Sequence, residues 1–534
     1  MTRQGKGSRA AHLLIALVFL VSVILPICSM FLRITGEGFS KLTSSPQFSD
    51  AVWNSLKTAL LSTVISLVLS LAAAWCVERS ALPFKGLFRI LFVIPILIPS
   101  ISQAFGLIAL FGNNGMLTKL FRLSFTIYGM PGIVTGSVLY SFPVAFLMFD
   151  SMLKYEDGLP HTAARVLGVS AFRRFKDLTL PYLRRTIISA FFAIFTIAVT
   201  DYGVALMVGG HVRTMPVLMY NLSVKNADYA SGSVVGALLL IPAVIAFALD
   251  VIQQERAQSS FTVTPVEKEQ HPLATLFSIV FSAVISLCIL APVLTFLFMV
   301  FMTRYPNDPT FTLYHVLKTV DRGALTFLGY SALYALLAAL IGTVFGFACA
   351  YATARQKGKL SRFVHLFSLT SMAIPGIVLG LSYIIFFHAR AIYGTIWIIV
   401  MVNIVHFFAS PYLMMYNTLA KVNPNLEAVG LTLGVGRLRI IRDVILPKVR
   451  HTLVEMFGYF FVNTMMTISA VSFLSPPSPK PVALMINTFS EQRQMESAAF
   501  VSLLIFVVNL LMRTLVTHVF GGGKNGEINR GTDL

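Results

Sequence analysis

The chain contains a series of apolar segments that are each long enough to cross a lipid bilayer, and this feature limits the possible folds most. A helix needs about 20 apolar residues to traverse the hydrocarbon layer. Apolar residues make up 56% of the chain and charged residues 12%, about half the charged fraction of a soluble protein. The sequence therefore predicts an all-α integral membrane protein. The twelve predicted spans lie near 12–33, 52–77, 87–112, 131–153, 186–208, 232–252, 273–303, 327–354, 363–388, 393–419, 452–474 and 497–519.

The charged residues indicate how these spans are oriented. A net charge of +19 would suggest a nucleic-acid partner in a soluble protein, but here the basic residues lie in loops between apolar segments. If the N-terminus is inside, the inside loops carry most of the 41 Lys and Arg residues, as the positive-inside rule requires. We expect a multi-pass protein of the plasma or inner membrane, with a retained first span, both termini in the cytoplasm and no nucleic-acid partner.

The sequence of the chain contains an internal repeat. The segment GVSAFRRFKDLTLP (168–181) returns as GVGRLRIIRDVILP (434–447), with Gly, Val, Arg, Asp, Leu and Pro at matching places. We predict a first half at 1–252, a cytoplasmic linker at 253–272 and a second half at 273–534. Because each half has an even number of spans, the two repeats run parallel, and two similar halves of this kind enclose a pathway. These features are typical of a transporter or a channel.

Each copy of the repeated segment lies in a predicted cytoplasmic loop, at 154–185 and at 420–451. Small, apolar and basic side chains alternate there, as in a short amphipathic helix that fills a groove in a partner. A helix lying on anionic lipid would also combine basic and apolar residues. Two copies in symmetric positions favour a partner that is itself twofold. The apolar side chains predicted to contact it include Phe172, Phe175, Leu438 and Ile441.

At these residues the chain resembles the ABC importer permeases, whose cytoplasmic coupling motif reads E-A-A, three residues, Gly, and a dozen residues later Leu-Pro. The first copy has Thr162-Ala163-Ala164, Gly168 and Leu180-Pro181, and the second has Ala428-Val429-Gly430, Gly434 and Leu446-Pro447. Two departures stand out. Thr162 replaces the usual Glu in the first copy, and in the second copy Glu427 lies one position early.

Over its whole length the chain is similar to the fused permeases of the iron(III), thiamine and aminoethylphosphonate group, which are related to polyamine and molybdate systems. TDYGVALMVGG (200–210) and TMMTISAVSFL (464–474) look like that group. The resemblance implies a type I ABC importer fold and a subunit that is not itself an enzyme. It also implies a dimer of ATPase subunits that binds ATP and Mg, and an extracytoplasmic binding protein that delivers the solute. The sequence contains no phosphate loop of its own.

A few polar residues lie at membrane depth, where they are candidates for the translocation path. They are Asp201, Tyr202, Thr467 and Ser469. The alternatives are a local capping role for Asp201 and helix-to-helix hydrogen bonds for Thr467 and Ser469. We expect no metal site, and prolines at 95, 99 and 375 should kink their spans. A secondary transporter driven by an ion gradient is the alternative function, although it would need several intramembrane carboxylates.

Overall fold

The computed structural model describes residues 6–254, 264–268, 271–355, 358–423, 425–474 and 480–521. Among these residues the named secondary-structure elements are helices, apart from one hairpin of two short strands, β1 (Met302–Arg304) and β2 (Asp308–Phe311). The helices are α1 (Lys6–Phe19), α2 (Leu25–Leu32), α3 (Gly36–Thr43), α4 (Pro46–Arg79), α5 (Lys85–Val93), α6 (Ser100–Phe111), α7 (Met116–Phe121), α8 (Met130–Lys154), α9 (Leu159–Val166), α10 (Ala171–Arg174), α11 (Leu180–Thr200), α12 (Gly203–Val208), α13 (Met215–Tyr220), α14 (Tyr229–Gln254), α15 (Pro272–Val300), α16 (Tyr314–Asp321), α17 (Ala324–Arg355), α18 (Lys359–Thr370), α19 (Gly376–Phe387), α20 (Ile396–His406), α21 (Ala409–Lys421), α22 (Asn425–Thr432), α23 (Arg437–Ile440), α24 (Leu446–Met466), α25 (Val482–Glu491) and α26 (Met495–Gly521).

Eight helices of the described residues are long and apolar enough to cross a membrane, and the count reaches eleven if three sharply bent helix pairs are each one span. The all-α membrane fold is thereby confirmed. The predicted eleventh span corresponds to α24, which is absent from the eleven. Its sequence includes Lys448, Arg450 and Glu455, and these charged residues lower its mean hydropathy.

The predicted kinks in the third and ninth spans are confirmed, and the bends are sharp. The chain turns by 103° between the helical segments on either side of residues 98–99 and by 108° between those on either side of residues 374–375. Pro99 and Pro375 are the residues immediately before α6 and α19. Proline suits this place because it has no backbone N–H to donate and its φ is already helical.

One compact unit consists of residues 1–35, 323–485 and 504–534. In this unit the first helices of the chain pack with helices of the second repeat. The ring of Phe19 lies 5.6 Å from that of Phe345 and 5.3 Å from that of Phe408. The Tyr383 hydroxyl donates to the Ser22 carbonyl at 2.7 Å. Phe19, Tyr383 and Phe408 are buried, so these contacts belong to the core of the unit.

The other compact unit consists of residues 36–322 and 486–503. Its centre is the packing of α4 on α8, where small polar residues let the two helices approach closely. The Ser66 and Ser141 hydroxyls lie 2.8 Å apart, and the Ser70 hydroxyl donates to the Phe142 carbonyl at 3.0 Å. The helix α15, which opens the second repeat, also belongs here, packing against α5 and α6. The compact units therefore cut across the sequence repeats. Of the predicted linker 253–272, residues 255–263 and 269–270 lie outside the described residues.

Candidate functional site

The two predicted coupling loops have the same local structure. Each contains a short helix, α9 in the first loop and α22 in the second, followed by a glycine with positive φ. Gly168 has a φ of 75° and Gly434 a φ of 73°, a region that residues with a side chain rarely adopt. The next residue closes the turn, since the Val169 N–H donates to the Ala164 carbonyl and the Val435 N–H to the Gly430 carbonyl, each at 2.9 Å. This is a helix C-terminal cap that requires glycine.

After the glycine each loop enters a long helix, and Leu180-Pro181 and Leu446-Pro447 lie inside it. In the first loop the helix is continuous from Ala171 to Thr200, with a π-helical turn at Phe175–Thr179. The Leu180 N–H bonds to the Phe175 carbonyl, five residues back. The second loop repeats the π turn at Ile441–Ile445. The short helix α9 ends well before Pro181, and the extra residue of the π turn makes room for the proline ring inside the long helix.

Matching apolar side chains of the two loops are exposed. Phe172 is 77% exposed and Leu438, its counterpart, is 84% exposed. Leu167 and its counterpart Leu433 are 80% and 74% exposed. Single exposed apolar residues are common on protein surfaces, but the same pair in both repeats forms a surface feature that was duplicated. Of the predicted motif residues, Thr162, Ala163 and Ala428 are also exposed.

Other residues of the predicted contact surface pack within their own unit. The Phe175 ring lies 5.2 Å from the Trp75 ring in an edge-to-face arrangement, and Ile441 is half-buried. A Cβ on Gly430 would lie 2.7 Å from the Ile440 side chain, so this glycine is needed for packing between α22 and α23. The small residue at 430 therefore makes room for a side chain of the same chain.

In the second repeat a largely buried ion pair ties the short helix to the end of a long one. The Arg355 guanidinium is at the end of α17, and its Nε lies 3.1 Å from the Glu427 carboxylate on α22. The Tyr351 hydroxyl donates to the other Glu427 oxygen at 3.1 Å. The Arg355 side chain is 7% exposed and that of Glu427 is 18% exposed. Glu427 thus holds α22 against α17, which explains its displacement from the usual motif position.

The first repeat makes the same link with different residues. Arg79, the last residue of α4, pairs with Glu156, which lies just before α9. The other Glu156 oxygen is 2.8 Å from Nε2 of His161, and His161 occupies the place in α9 that Glu427 occupies in α22. The Arg79 and Glu156 side chains are 7% and 5% exposed. In the first repeat the carboxylate therefore lies outside the short helix, and His161 connects α9 to it.

Sequence reasoning missed these anchoring residues. Arg79 and Glu156 are separated by 77 positions, so no local pattern relates them. A signal was nevertheless available, since the matching segments at 54–75 and 330–351, continued to the ends of their helices, stop at Arg79 and Arg355. Because a buried arginine needs an acidic partner, the two arginines could have directed a search for carboxylates in the following loop.

The candidate path residues lie where helices α11 and α24 end. Asp201 follows α11, and its Oδ2 accepts a hydrogen bond from the Val204 N–H at 2.8 Å, which caps α12. Tyr202 is buried, and its ring lies 4.9 Å from the Tyr220 ring. The geometry of Asp201 agrees with the capping alternative. Thr467, the matching residue after α24, is likewise buried.

Ser469 takes part in a close helix contact that both repeats contain. A Cβ on Gly376 would lie 2.5 Å from the Ser469 hydroxyl, and a Cβ on Gly203 would lie 2.5 Å from the Ser100 hydroxyl. Gly376 corresponds to Ser100, and Ser469 to Gly203, so the serine and the glycine have exchanged sides between the repeats. Each contact has room for one side chain only. Within the described ranges, no group of three or more His, Cys, Asp or Glu residues could hold a metal ion.

A helical membrane protein with two parallel repeats and a duplicated, anchored loop belongs to the class of membrane transport proteins. Comparison with known families makes this specific. The profile of the family described as "Binding-protein-dependent transport system inner membrane component" matches residues 66–258 and 342–520, and the chain belongs to this family. Each match includes one of the two coupling loops.

Several relatives are similar to this chain over most of its length. The ferric transport system permease protein FbpB of Actinobacillus pleuropneumoniae is 24% identical over 500 residues, 89% of this chain and 71% of the relative. The Fe(3+)-transport system permease protein FbpB 2 of Haemophilus influenzae is 23% identical over 91% of this chain and 95% of its own. The molybdenum transport system permease protein ModB of Azotobacter vinelandii is 27% identical over 207 residues, which are 37% of this chain and 91% of ModB.

Proposed function

We propose that this chain is the permease subunit of an ATP-driven importer and that it transfers a small solute across the inner or plasma membrane. Its two coupling loops face the cytoplasm, and each receives one subunit of an ATPase dimer. ATP and Mg bind to that partner, and this chain binds no cofactor. An extracytoplasmic binding protein delivers the solute. The observation that carries this proposal is the duplicated loop, with matching exposed side chains and a matching buried link to α4 or α17.

The buried links explain how such a loop would transmit force. A partner that pulls on Leu167 or Leu433 acts at the end of a short helix, α9 or α22, which an ion pair holds to the end of a membrane helix. Since interior ion pairs resist separation, the short helix and the long helix move together. ATP binding to the ATPase would then bias the permease between two states, as a ligand biases any equilibrium between two conformations.

The proposed solute class is iron(III), with thiamine, aminoethylphosphonate and polyamines as the other candidates. Support for iron(III) comes from the two relatives named for ferric transport, which align with about nine-tenths of this chain. Asp201, Tyr202, Thr467 and Ser469 remain our proposed path residues. Uptake into proteoliposomes containing the permease, the ATPase and the binding protein, measured with each solute in turn, would test this assignment. Uptake of thiamine but not iron(III) would contradict it.

The docking role is tested by placing charge on the exposed apolar surface. We expect the pair Phe172→Asp and Leu438→Asp to abolish co-purification with the ATPase and ATP-driven uptake, because each aspartate would have to be desolvated at the interface. The matched control is Leu120→Asp with Phe121→Asp on α7, which are also exposed but lie in a loop predicted to face the other side of the membrane. If the coupling-loop variant retains both activities, or if the α7 variant loses ATPase binding equally, the proposal is wrong.

A further inference from the structure

A segment of the linker packs against the first coupling loop. We call residues 264–268 the strap. The Gly158 N–H donates to the Thr264 carbonyl at 2.8 Å, and the Thr264 hydroxyl donates to Oδ1 of Asp157 at 2.8 Å. Asp157 and Pro265 face each other as an isolated antiparallel bridge. These three contacts, two of the backbone and one between side chains, involve two neighbouring residues of each segment and make the docking specific.

The loop residue at the centre of this contact must be glycine. A Cβ on Gly158 would lie 2.7 Å from the Pro265 carbonyl oxygen and 2.9 Å from the Val266 Cα. Oδ1 of Asp157 also accepts a hydrogen bond from the Leu159 N–H at 3.1 Å, at the start of α9. That bond, together with the bond from Thr264, holds the pKa of Asp157 below its usual value. The strap is therefore tied to the first turn of α9.

A second contact ties the strap to the last turn of α9. The Arg165 guanidinium pairs with the Glu267 carboxylate, and their side chains are 47% and 66% exposed. The strap consequently has contacts at both ends of α9. In the second repeat Asn423 caps α22 as Asp157 caps α9, but Leu431 occupies the place of Arg165. The sequence of the second loop thus offers no equivalent of this ion pair.

We propose that the strap is a permanent part of the docking surface of the first coupling loop and that Glu267 is its acidic contact with a basic side chain of the ATPase. This inference rests on the proposed function. The residues of α9 next to the exposed apolar surface include no carboxylate, because Thr162 stands where the family motif has Glu and Glu156 is buried. Glu267 supplies one from outside the helix. Its carboxylate can accept further hydrogen bonds while it remains paired with Arg165.

A charge swap separates this role from simple support of α9. Glu267→Lys should lower the affinity of the ATPase by about tenfold or more, because it places two like charges at the interface. The double variant Arg165→Glu with Glu267→Arg restores the pair within the chain but still presents a cation from the strap. We expect its affinity to remain low. Recovery to the wild-type value would show that Glu267 only positions α9, and the inference would be overturned. Glu37→Lys on α3 is the matched control for the change in charge.

A disulfide tests whether the strap stays in place. Facing residues of an antiparallel pair have Cα atoms close enough for a disulfide. Asp157→Cys with Pro265→Cys, in a chain whose four native cysteines are replaced by serine, should cross-link, and its ATP-driven uptake should be the same before and after treatment with a reductant. Failure to cross-link would show that the strap does not lie on the loop. Loss of uptake that a reductant reverses would show that the strap must open. Either result overturns the inference.

Different results would contradict the proposed function and the proposed role of the strap. If the wild-type chain binds no ATPase, the proposed function fails and the strap is irrelevant to docking. If the wild-type chain binds the ATPase and Glu267→Lys binds it equally well, the proposed function survives and only the strap inference fails. Surface plasmon resonance on nanodisc-embedded permease gives both affinities directly.

Discussion

Replacing Glu156 with alanine should loosen the first coupling loop without unfolding the membrane helices. The variant leaves Arg79 buried without its carboxylate and removes the partner of His161. Since the Arg79 and Glu156 side chains are 7% and 5% exposed, solvent cannot replace the lost partner easily. Breaking a buried ion pair on one side costs about 3–5 kcal/mol. At about 1.4 kcal/mol for each factor of ten, the open form of the loop should rise by a hundredfold to a few thousandfold.

Amide hydrogen exchange in nanodiscs measures this opening directly. In Glu156→Ala the amides of α9 should exchange faster by roughly the factor given above, because they exchange from the open form. The amides in the middle of α4 should keep the wild-type rate. Asp443→Ala is the matched control in the second loop, since its pair with Arg442 is exposed on both sides. A surface pair of this kind contributes at most about 1 kcal/mol.

A triple variant decides whether the cost comes from an unpaired buried charge. Arg79→Met, Glu156→Leu and His161→Leu together replace the polar group with apolar side chains of similar size. Such replacements are often neutral or stabilising, so slow exchange of α9 should return to within about tenfold of the wild-type rate. If Glu156→Ala leaves α9 exchange unchanged, or if the triple variant exchanges as fast as the single one, the link does not hold the loop.

Three further predictions concern single contacts. Gly168→Ala should weaken ATPase binding and destabilise the loop by about 1–2 kcal/mol, because a φ of 75° disfavours a residue with a side chain. Gly436→Ala is the control, since Gly436 has a φ of −64° and open space around it. This control should be nearly neutral in the same binding and thermal unfolding assays. Gly376→Ala should lower the thermal stability, because the new methyl group would meet both the Ser469 hydroxyl and the His406 ring, and adding Ser469→Gly should recover only part of the loss. Because the pKa of Asp157 is lowered, its ionised form stabilises the strap above the usual aspartate pKa, and this contribution is lost only as the pH falls through the lowered value. The Gly158 amide should therefore be as well protected from hydrogen exchange at pH 5 as at pH 7. A loss of protection between these pH values would contradict the proposed role of the Asp157 carboxylate.

The sequence predicted the features that depend on repetition and on length. Long apolar segments identified most of the spans, and the duplicated Gly-to-Pro segment located two loops that have the same local structure. The predicted span 452–474 illustrates the limit of this approach. The helix α24 runs from Leu446 to Met466, so it begins and ends earlier than predicted. Its first two turns are part of the helix although their charged composition resembles that of a loop. Composition cannot separate a charged helix end from the loop before it.

The link between each short helix and its long helix could not be predicted, because the two repeats build it from different residues. Glu427 contacts Arg355 directly, whereas the first repeat uses His161 and Glu156 to reach Arg79. A comparison of matching positions therefore finds only the arginines. What the repeats share is a requirement for a buried negative charge beside the end of the long helix, and that requirement can be met from within the short helix or from the residue before it.

This freedom has a consequence for how the two loops diverge. In the second loop Glu427 belongs to the motif region and also holds the short helix to Arg355. In the first loop Glu156 holds the helix from outside, and the exposed surface of α9 is left without a carboxylate of its own. The strap brings Glu267 to that surface. Because the strap is part of the linker that joins the two repeats, a fused chain can support its two loops in different ways while both keep a positive-φ glycine and an exposed apolar pair.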